Sequence, residues 1–396
     1  MTARDAAIVG IYEYPRRLAP GTSAMQIKAA SAAAALEDAG LTWSDVDAIY
    51  DAGDGAGMPG LSVQEYLNIH PRITDTTGVG GSSFEFHAGH ARDAIRAGRA
   101  KVALLTYGST ARSDVWAIGT GSTAGVTSAP GANMEVPWGM TLIANYAMVA
   151  RRHMHQYGTT SEQLAEIAVT TYAHAMRNPQ AVQALQDLKY NQAPAITVDD
   201  VVKGRMIADP LHRLECCMIS DGGGAVVIAG ADVARDTRHH PVWILGAGEG
   251  IGFVDNANDI TVSAAAQSGP RAFAEAGLTP QQMDIAMIYD SFTITVLECL
   301  EDLGFAPKGE GGRYVEGGRL RWDNPDGPAL NTDGGGLFSN HPGMRGIFLL
   351  IEATRQLRGQ STSQVEGARY AVAHGNGGRL GAVHAGGTIV LGADHA

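Results

Sequence analysis

"AGLTWSDVD" at residues 39–47 and "AGLTPQQMD" at residues 276–284 share alanine, glycine, leucine, threonine and a final aspartate, five of nine positions. The copies lie 237 residues apart, too far for a solenoid repeat. Each follows an alanine-containing segment with helical spacing. Each leads into an apolar run that ends in Tyr-Asp, at Tyr50-Asp51 and Tyr289-Asp290. Ahead of the first helix, Ala7 to Ile11 reads as a buried strand, and Val242 to Leu245 answers it ahead of the second. A repeated order of strand, helix, turn and strand predicts an α/β chain of two similar halves packed as a pseudo-dimer, residues 1–240 and 241–396.

Working outward, the pattern predicts a helix over 23–39 stopped by Gly40, a strand over 46–50, a helix over 84–98 and a strand over 102–107. Residues of about 110–205 break the correspondence. Gly119 to Gly131 is rich in Gly, Ser and Thr, 140–175 reads as helical, and 176–200 as mixed loops. This is expected to be a loop insertion in the first half that covers a site and lines its pocket.

Composition excludes several functions. The chain has 396 residues, is 45% hydrophobic and carries a formal charge of −12, with no basic stripe, so nucleic acid is not expected as a ligand. Cys216, Cys217 and Cys299 form neither a disulfide framework nor a CxxC pair, which points to the reducing cytoplasm. No signal peptide is expected, and no apolar run is long enough to span a bilayer. His87/His90 and His239/His240 lack metal-ligand spacing, so no metal is expected. "GAGEGIG" (246–252) follows the strand Val242 to Leu245 but has Ile251 where a dinucleotide loop needs its third glycine, and no helix signal follows it.

"GVGGSSFEFHAGHA" (78–91) has the form of an active-site turn opening a helix, with free backbone N–H groups but no cysteine. Gly80 to Phe84 falls short of the serine-hydrolase pattern GxSxG. Three later stretches carry proton-transferring side chains at the ends of apolar runs or among glycines. They are "IYDSFT" (288–293), "NTDGGGLFSNHPGMRG" (331–346) and "AVAHGNGG" (371–378). In α/β sheets sites collect at such places.

These stretches, with "LECCMISDGGGAVVI" (214–228) and "LEDLGF" (300–305), resemble the thiolase superfamily over essentially the whole chain, in its lipid-transfer-protein branch (sterol carrier protein x-like). The resemblance implies a thiolase fold, two α/β halves in five layers (αβαβα), and a homodimer. The branch also implies a small OB-fold, zinc-ribbon partner completing a heterotetramer. Members of the family carry a cysteine that takes an acyl group from coenzyme A; here that position falls on Gly81, and the second cysteine falls near His374. Acyl transfer through sulfur therefore lacks its residue.

What remains suits enolate chemistry. Tyr289 resembles the tyrosine of steroid side-chain aldolases in their Tyr-Asp motif, although their second tyrosine is absent near Asn340-His341. Tyr289, His341, His374 and Asp290 are the candidate catalytic residues. Gly81, Ser82, Ser83, Asn340 and Gly377 are the candidates for the oxyanion or nucleophile turn. The expected reaction is retro-aldol cleavage of a β-hydroxyacyl-CoA, the coenzyme A thioester being substrate and no cofactor being held tightly. A Claisen-type acyltransferase or thiolase using Ser82 or Ser83, and a non-catalytic subunit of an acyl-CoA complex, stay open.

Overall fold

The computed structural model describes residues 6–53, 58–114, 136–138, 141–253 and 259–393. Much of the expected Gly/Ser/Thr-rich loop, including Gly119 to Gly131, lies outside the described residues. The described strands are β1 (Ala6–Glu13), β2 (Ala48–Asp51), β3 (Ile73–Asp75), β4 (Val102–Ser109), β5 (Met206–Ala208), β6 (Leu211–His212), β7 (Gly222–Gly230), β8 (Val242–Gly252), β9 (Ile285–Ile288), β10 (Ala329–Leu330), β11 (Tyr370–Gly378) and β12 (His384–Ala393).

Ten of them join in the order β10-β9-β11-β12-β8-β1-β7-β4-β2-β3, and β5 pairs only with β6. From the centre outward the sheet reads β1-β7-β4-β2-β3 one way and β8-β12-β11-β9-β10 the other. The pairing senses match as well. β2 is parallel to β3 and β4, and β4 and β1 run antiparallel to β7. β9 is parallel to β10 and β11, and β11 and β8 run antiparallel to β12. The two sets meet in a short antiparallel contact, Ala7 with Trp243 and Ile8 with Val242.

The helices Ser83–Arg96 and Gly346–Arg358 each touch strands of both sets and are buried along most of their length. The helix Ala24–Ala39 covers β1, β4 and β7, and Ala265–Ala276 covers β8 and β12. The result is a five-layer α/β arrangement. Helices buried along most of their length lie at the centre, and helices buried along one side lie outside.

Each matched residue of the repeat does the same job twice. Ala39 and Ala276 end their helices, and Gly40 (φ 73°) and Gly277 (φ 66°) stop them in the left-handed conformation. The next N–H, of Leu41 or Leu278, returns to the Leu36 or Phe273 carbonyl. Thr42 and Thr279 begin short 3-10 turns whose third residues, Asp45 and Gln282, accept from their N–H groups. Asp47 accepts from the N–H groups of Lys101 and Val102 at the start of β4. Asp284 accepts from Arg369 and Tyr370 at the start of β11.

Two expectations need correction. The stretch 246–252 does not follow the strand but belongs to it: β8 continues through Gly252. Alternate glycines 246, 248 and 250 lie against the carbonyls of Ala272, Ser268 and Ala264, where any Cβ would collide. They let the Ala265–Ala276 helix settle onto the strand. The stretch 176–200 is not all loop. It holds the helix Pro179–Asp187, which starts at an Asn178 cap with proline in its first turn, and the short helix Val198–Val202. Among the described residues no helix is long and apolar enough to cross a membrane.

Candidate active site

The Gly80–Ser82 turn delivers the chain into the Ser83–Arg96 helix. Its hydroxyls are used locally. Ser82 Oγ donates to the Val79 carbonyl (3.1 Å). Ser83 Oγ donates to the Gly80 carbonyl (2.7 Å) and accepts from the Val79 N–H (2.9 Å). Neither serine is bonded to a histidine, so neither has a base to activate it. Gly80 (φ 70°) and Gly377 bring the turn and the end of β11 together. A Cβ on Gly80 would stand 2.9 Å from the Gly378 nitrogen, and one on Gly377 would overlap the Val79 carbonyl.

Gly81 faces a third segment. A Cβ there would overlap the ring of Tyr289, 2.7 Å from Cζ, and stand 2.5 Å from the Asn376 carbonyl oxygen. The phenol thus fills the place that a side chain on Gly81 needs. Tyr289 follows β9, and its N–H donates to the His374 carbonyl (2.9 Å), extending the pairing with β11. Its Oη lies 3.0 Å from Nε2 of His341 and 3.2 Å from the Gly343 carbonyl, with the two rings edge to face. A carbonyl only accepts, so the phenol proton points to Gly343 or to His341, and the histidine takes the complementary role.

Both groups are buried. Burial raises the Tyr289 phenol well above its ordinary value, and Cys217, Tyr107 and Tyr146 raise it further. Burial, with Arg345 behind it, lowers His341 to about 4, so the imidazole is neutral at physiological pH. The His341 N–H donates to Ser220 Oγ (2.9 Å). Tyr107 Oη donates to the Pro342 carbonyl (2.8 Å) and accepts from the Met344 N–H (2.9 Å). The histidine loop is therefore held from both sides.

The other candidates have partners elsewhere. The His374 ring bonds to Thr388 Oγ1 (2.8 Å), which bonds in turn to Ser268; it is not hydrogen-bonded to Tyr289 or His341 through its ring. Asp290 accepts from the N–H groups of Gly336 (2.7 Å) and Leu337 (3.2 Å) and pairs with Arg345 (3.2 Å). Burial pushes its carboxyl up to about 6 against the pull of Arg345. Asn340 donates to Glu13 (2.7 Å) and accepts from Arg345, whose guanidinium also forks onto Asp333 (2.7 Å to each oxygen). These residues brace the loop that carries His341.

Three residues near the dyad were not among the candidates. Tyr146, on the helix Leu142–Tyr157, donates to the Gly378 carbonyl (3.3 Å), accepts from Asn376 Nδ2 (3.1 Å), and stacks on Phe292 at 4.5 Å between centroids. Tyr107 sits in β4. Cys217 lies far from all of these in sequence, yet its N–H donates to the Ser291 carbonyl and its thiol stands close enough to oppose ionisation of Tyr289. Burial and then Asp290 push that thiol up to about 12, so it is no ready thiolate. A cavity of about 210 Å³ reaches Cys217, lined also by Leu188, Tyr190, Ile207 and Met218, with Arg112 and Arg213 at its wall.

The paired histidines have structural partners. His87 Nε2 meets the Thr77 carbonyl (3.0 Å), and His90 bridges Asp75 (2.7 Å) and Glu249 (2.9 Å). Among the described residues no cluster of three metal-ligating side chains forms.

Comparison with known proteins supplies names for this geometry. Residues 251–393 match a family model described as thiolase C-terminal domain-like. The chain is 33% identical to an acetyl-CoA acetyltransferase of Methanothermobacter thermautotrophicus, over 96% of this chain and 99% of that protein. It is 34% identical to a steroid side-chain-cleaving aldolase of Thermomonospora curvata, over 91% and 92%. Among solved structures it is similar to one described as an Ltp2–ChsH2(DUF35) aldolase, with a TM-score of 0.86, 30% identity, and coverage of 100% of this chain and 99% of that one.

Proposed function

Because this chain belongs to the thiolase superfamily and keeps Tyr289 where a side chain on Gly81 would have to stand, we propose that it is a carbon–carbon lyase that cleaves β-hydroxyacyl-CoA thioesters by retro-aldol chemistry. The observation that carries the reading is the Tyr289–His341 pair, 3.0 Å apart and sealed from water. Neutral His341 has a lone pair for a proton. Tyr289 Oη takes the proton of the substrate β-hydroxyl as its own proton passes to His341 Nε2. The Cα–Cβ bond then breaks, the β-carbon becomes a ketone or aldehyde, and the electron pair remains as the thioester enolate. The proton stored on His341 returns through Tyr289 to the enolate α-carbon, which regenerates the dyad. Because the phenol never stands ionised, the transfers are concerted. Backbone N–H groups of the glycine turns at Gly81 and Gly377 hold the enolate oxygen.

In this reading Tyr289 and His341 are catalytic, and Asp290, Asn340 and His374 are positioning residues. The acyl chain approaches past Cys217 through the cavity of about 210 Å³. A steroid side chain is the substrate class favoured by likeness to the Thermomonospora aldolase. The proposed assembly is a homodimer completed by a small OB-fold, zinc-ribbon partner, and likeness to the Ltp2–ChsH2(DUF35) structure supports a partner protein. The thioester is substrate, no cofactor is bound tightly, and the cytoplasm is the proposed compartment.

A Claisen-type acyltransferase is the second reading, favoured by the similarity to the Methanothermobacter enzyme. One assay separates the two. Incubated with a steroidal and a short-chain β-hydroxyacyl-CoA, with and without the partner, a lyase releases a carbonyl compound and acyl-CoA and consumes no free coenzyme A. Turnover that requires free coenzyme A overturns the lyase. No reaction under any of these conditions supports a silent subunit.

A further inference from the structure

Glu85 lies on the first turn of the Ser83–Arg96 helix, one turn beyond Gly81, and is 1% exposed. No other residue donates a hydrogen bond to either of its carboxyl oxygens, and only its own backbone N–H favours the ionised form. Its surroundings are made of glycine. A Cβ on Gly346 would overlap the carboxyl, 2.9 Å from Oε1, and would also meet the Gly81 carbonyl oxygen. A Cβ on Gly375 would overlap Oε2 and stand 2.6 Å from Cδ, and one on Gly387 would stand 2.6 Å from the Glu85 Cβ. Gly346 follows the His341 loop, Gly375 follows His374, and Gly387 lies across from Gly375 in β12. One carboxyl thus occupies the point where the active-site turn, the histidine loop and the end of β11 meet.

An ionised carboxylate buried with no donor from another residue costs several kcal/mol. No charged or titratable group compensates this one. The elements packed on it present glycines, and no neighbouring charge contributes to its ionisation. We infer that Glu85 is a positioning residue, an uncharged carboxylic acid wedged between Gly346 and Gly375 that sets the distance between the Gly81 turn and the His341 loop. Burial accordingly raises this carboxyl well above the ordinary glutamate value. The inference deepens the reading of the Tyr289–His341 pair and rests on it. Its own test needs no substrate.

The sign of the pH dependence follows from linkage. A carboxyl that keeps its proton when folded and sheds it when unfolded stabilises fully below the unfolded value of 4.5, and that stabilisation is lost as pH rises. Three measurements on purified protein test the inference. Infrared difference spectra of the parent against E85Q, at about pH 8, are expected to show the carbonyl stretch of a protonated acid. The melting temperature of E85Q relative to the parent is expected to climb from about pH 6 to about pH 9. The His341 imidazole, followed by NMR, is expected to titrate higher in E85A, where the loop relaxes toward water, and E85Q is expected to restore the parent value. Absence of the acid band overturns the inference, because Glu85 is then ionised. So does an equal effect, or none, of E85A and E85Q on His341. If E85A does not fold, the spectrum and melting curves of E85Q still decide. Loss of these signatures leaves the lyase reading standing, and failure of the lyase assay leaves the wedge standing.

Discussion

At Gly81 the choice of residue is set by what faces it. Adding one carbon there forces it into the Tyr289 ring and against the Asn376 carbonyl. A reactive side chain at 81 and a tyrosine at 289 therefore exclude each other. This predicts a specific coupling. G81A in the parent costs about 1–3 kcal/mol by overpacking, and the same change in a Y289A background costs markedly less, read by chemical denaturation of the four proteins. Equal costs in both backgrounds contradict the geometry. Y289F leaves the ring in place and removes only the proton carrier. It is expected to lower cleavage about 100-fold or more while the melting temperature changes little. Unchanged turnover removes Tyr289 from the mechanism. The pH profile reports on its partner. Since His341 is lowered to about 4, its lone pair is available down to that pH, and the acid limb of kcat/KM is expected near 4 rather than near the usual histidine value of 6.5. A limb near 6.5 means that the imidazole is open to water in the working enzyme.

Between strands and helices, glycine decides how close the layers come. Gly248 on β8 faces the Ser268 carbonyl with no room for a Cβ, whereas a Cβ on Gly89, in the Ser83–Arg96 helix, meets Ala247 at an ordinary 3.4 Å. Opposite signs are expected from the same mutation. G248A pushes the Ala265–Ala276 helix off β8 and destabilises by about 1–3 kcal/mol or more. G89A removes a mid-helix glycine and is neutral or stabilises by up to about 1 kcal/mol. Urea midpoints of the two variants test this, and a stable G248A refutes the close packing. The same contrast explains what could be read from the residues alone. The repeat at 39–47 and 276–284 was legible because its roles are local: a left-handed glycine, a threonine-started turn, an aspartate held by nearby backbone. The strand was read as ending at Leu245 because the reason for Gly246, Gly248 and Gly250 is a helix 14 to 26 residues further on, absent from any local window. In the site, Tyr289 and His341 announced themselves as polar groups among apolar runs and glycines. Cys217, Tyr146 and Glu85 did not, because only the packing of distant segments brings them to the site. His374, Asp290 and Asn340 stood in the right motifs, and their side chains bond to Thr388, to backbone and Arg345, and to Glu13.

Across the whole molecule, the symmetric strand order suggests that the chain is two copies of one unit, and we propose the join near residue 240. Besides the shared core, ionic contacts tie one copy to the other. Arg92 and Arg96 both reach Glu275, Arg358 reaches Asp38, and Arg355 reaches Glu13. His90 adds a tie whose charge depends on pH. It stands between Asp75 at the end of β3 and Glu249 in β8, strands far apart in sheet order that this side chain of the Ser83–Arg96 helix bridges. Its hydrogen bond to Asp75, then that to Glu249, raises it to about 10, so it is charged while the structure holds. In the unfolded chain it returns to about 6.5. The raised value means that the folded state holds the extra proton. The stabilisation is fully present below about pH 6.5 and is lost as pH rises through about 10. His90 and Glu249 are 34% and 42% exposed, so water and salt screen the bridge and leave about 0.5–1 kcal/mol at low ionic strength. H90Q is therefore expected to lower stability by that amount at about pH 6, by less at high salt, and by nothing above about pH 10, in denaturant titrations run side by side with the parent. A deficit that stays constant from pH 6 to 10 assigns His90 to packing alone and removes it from the charges that join the halves.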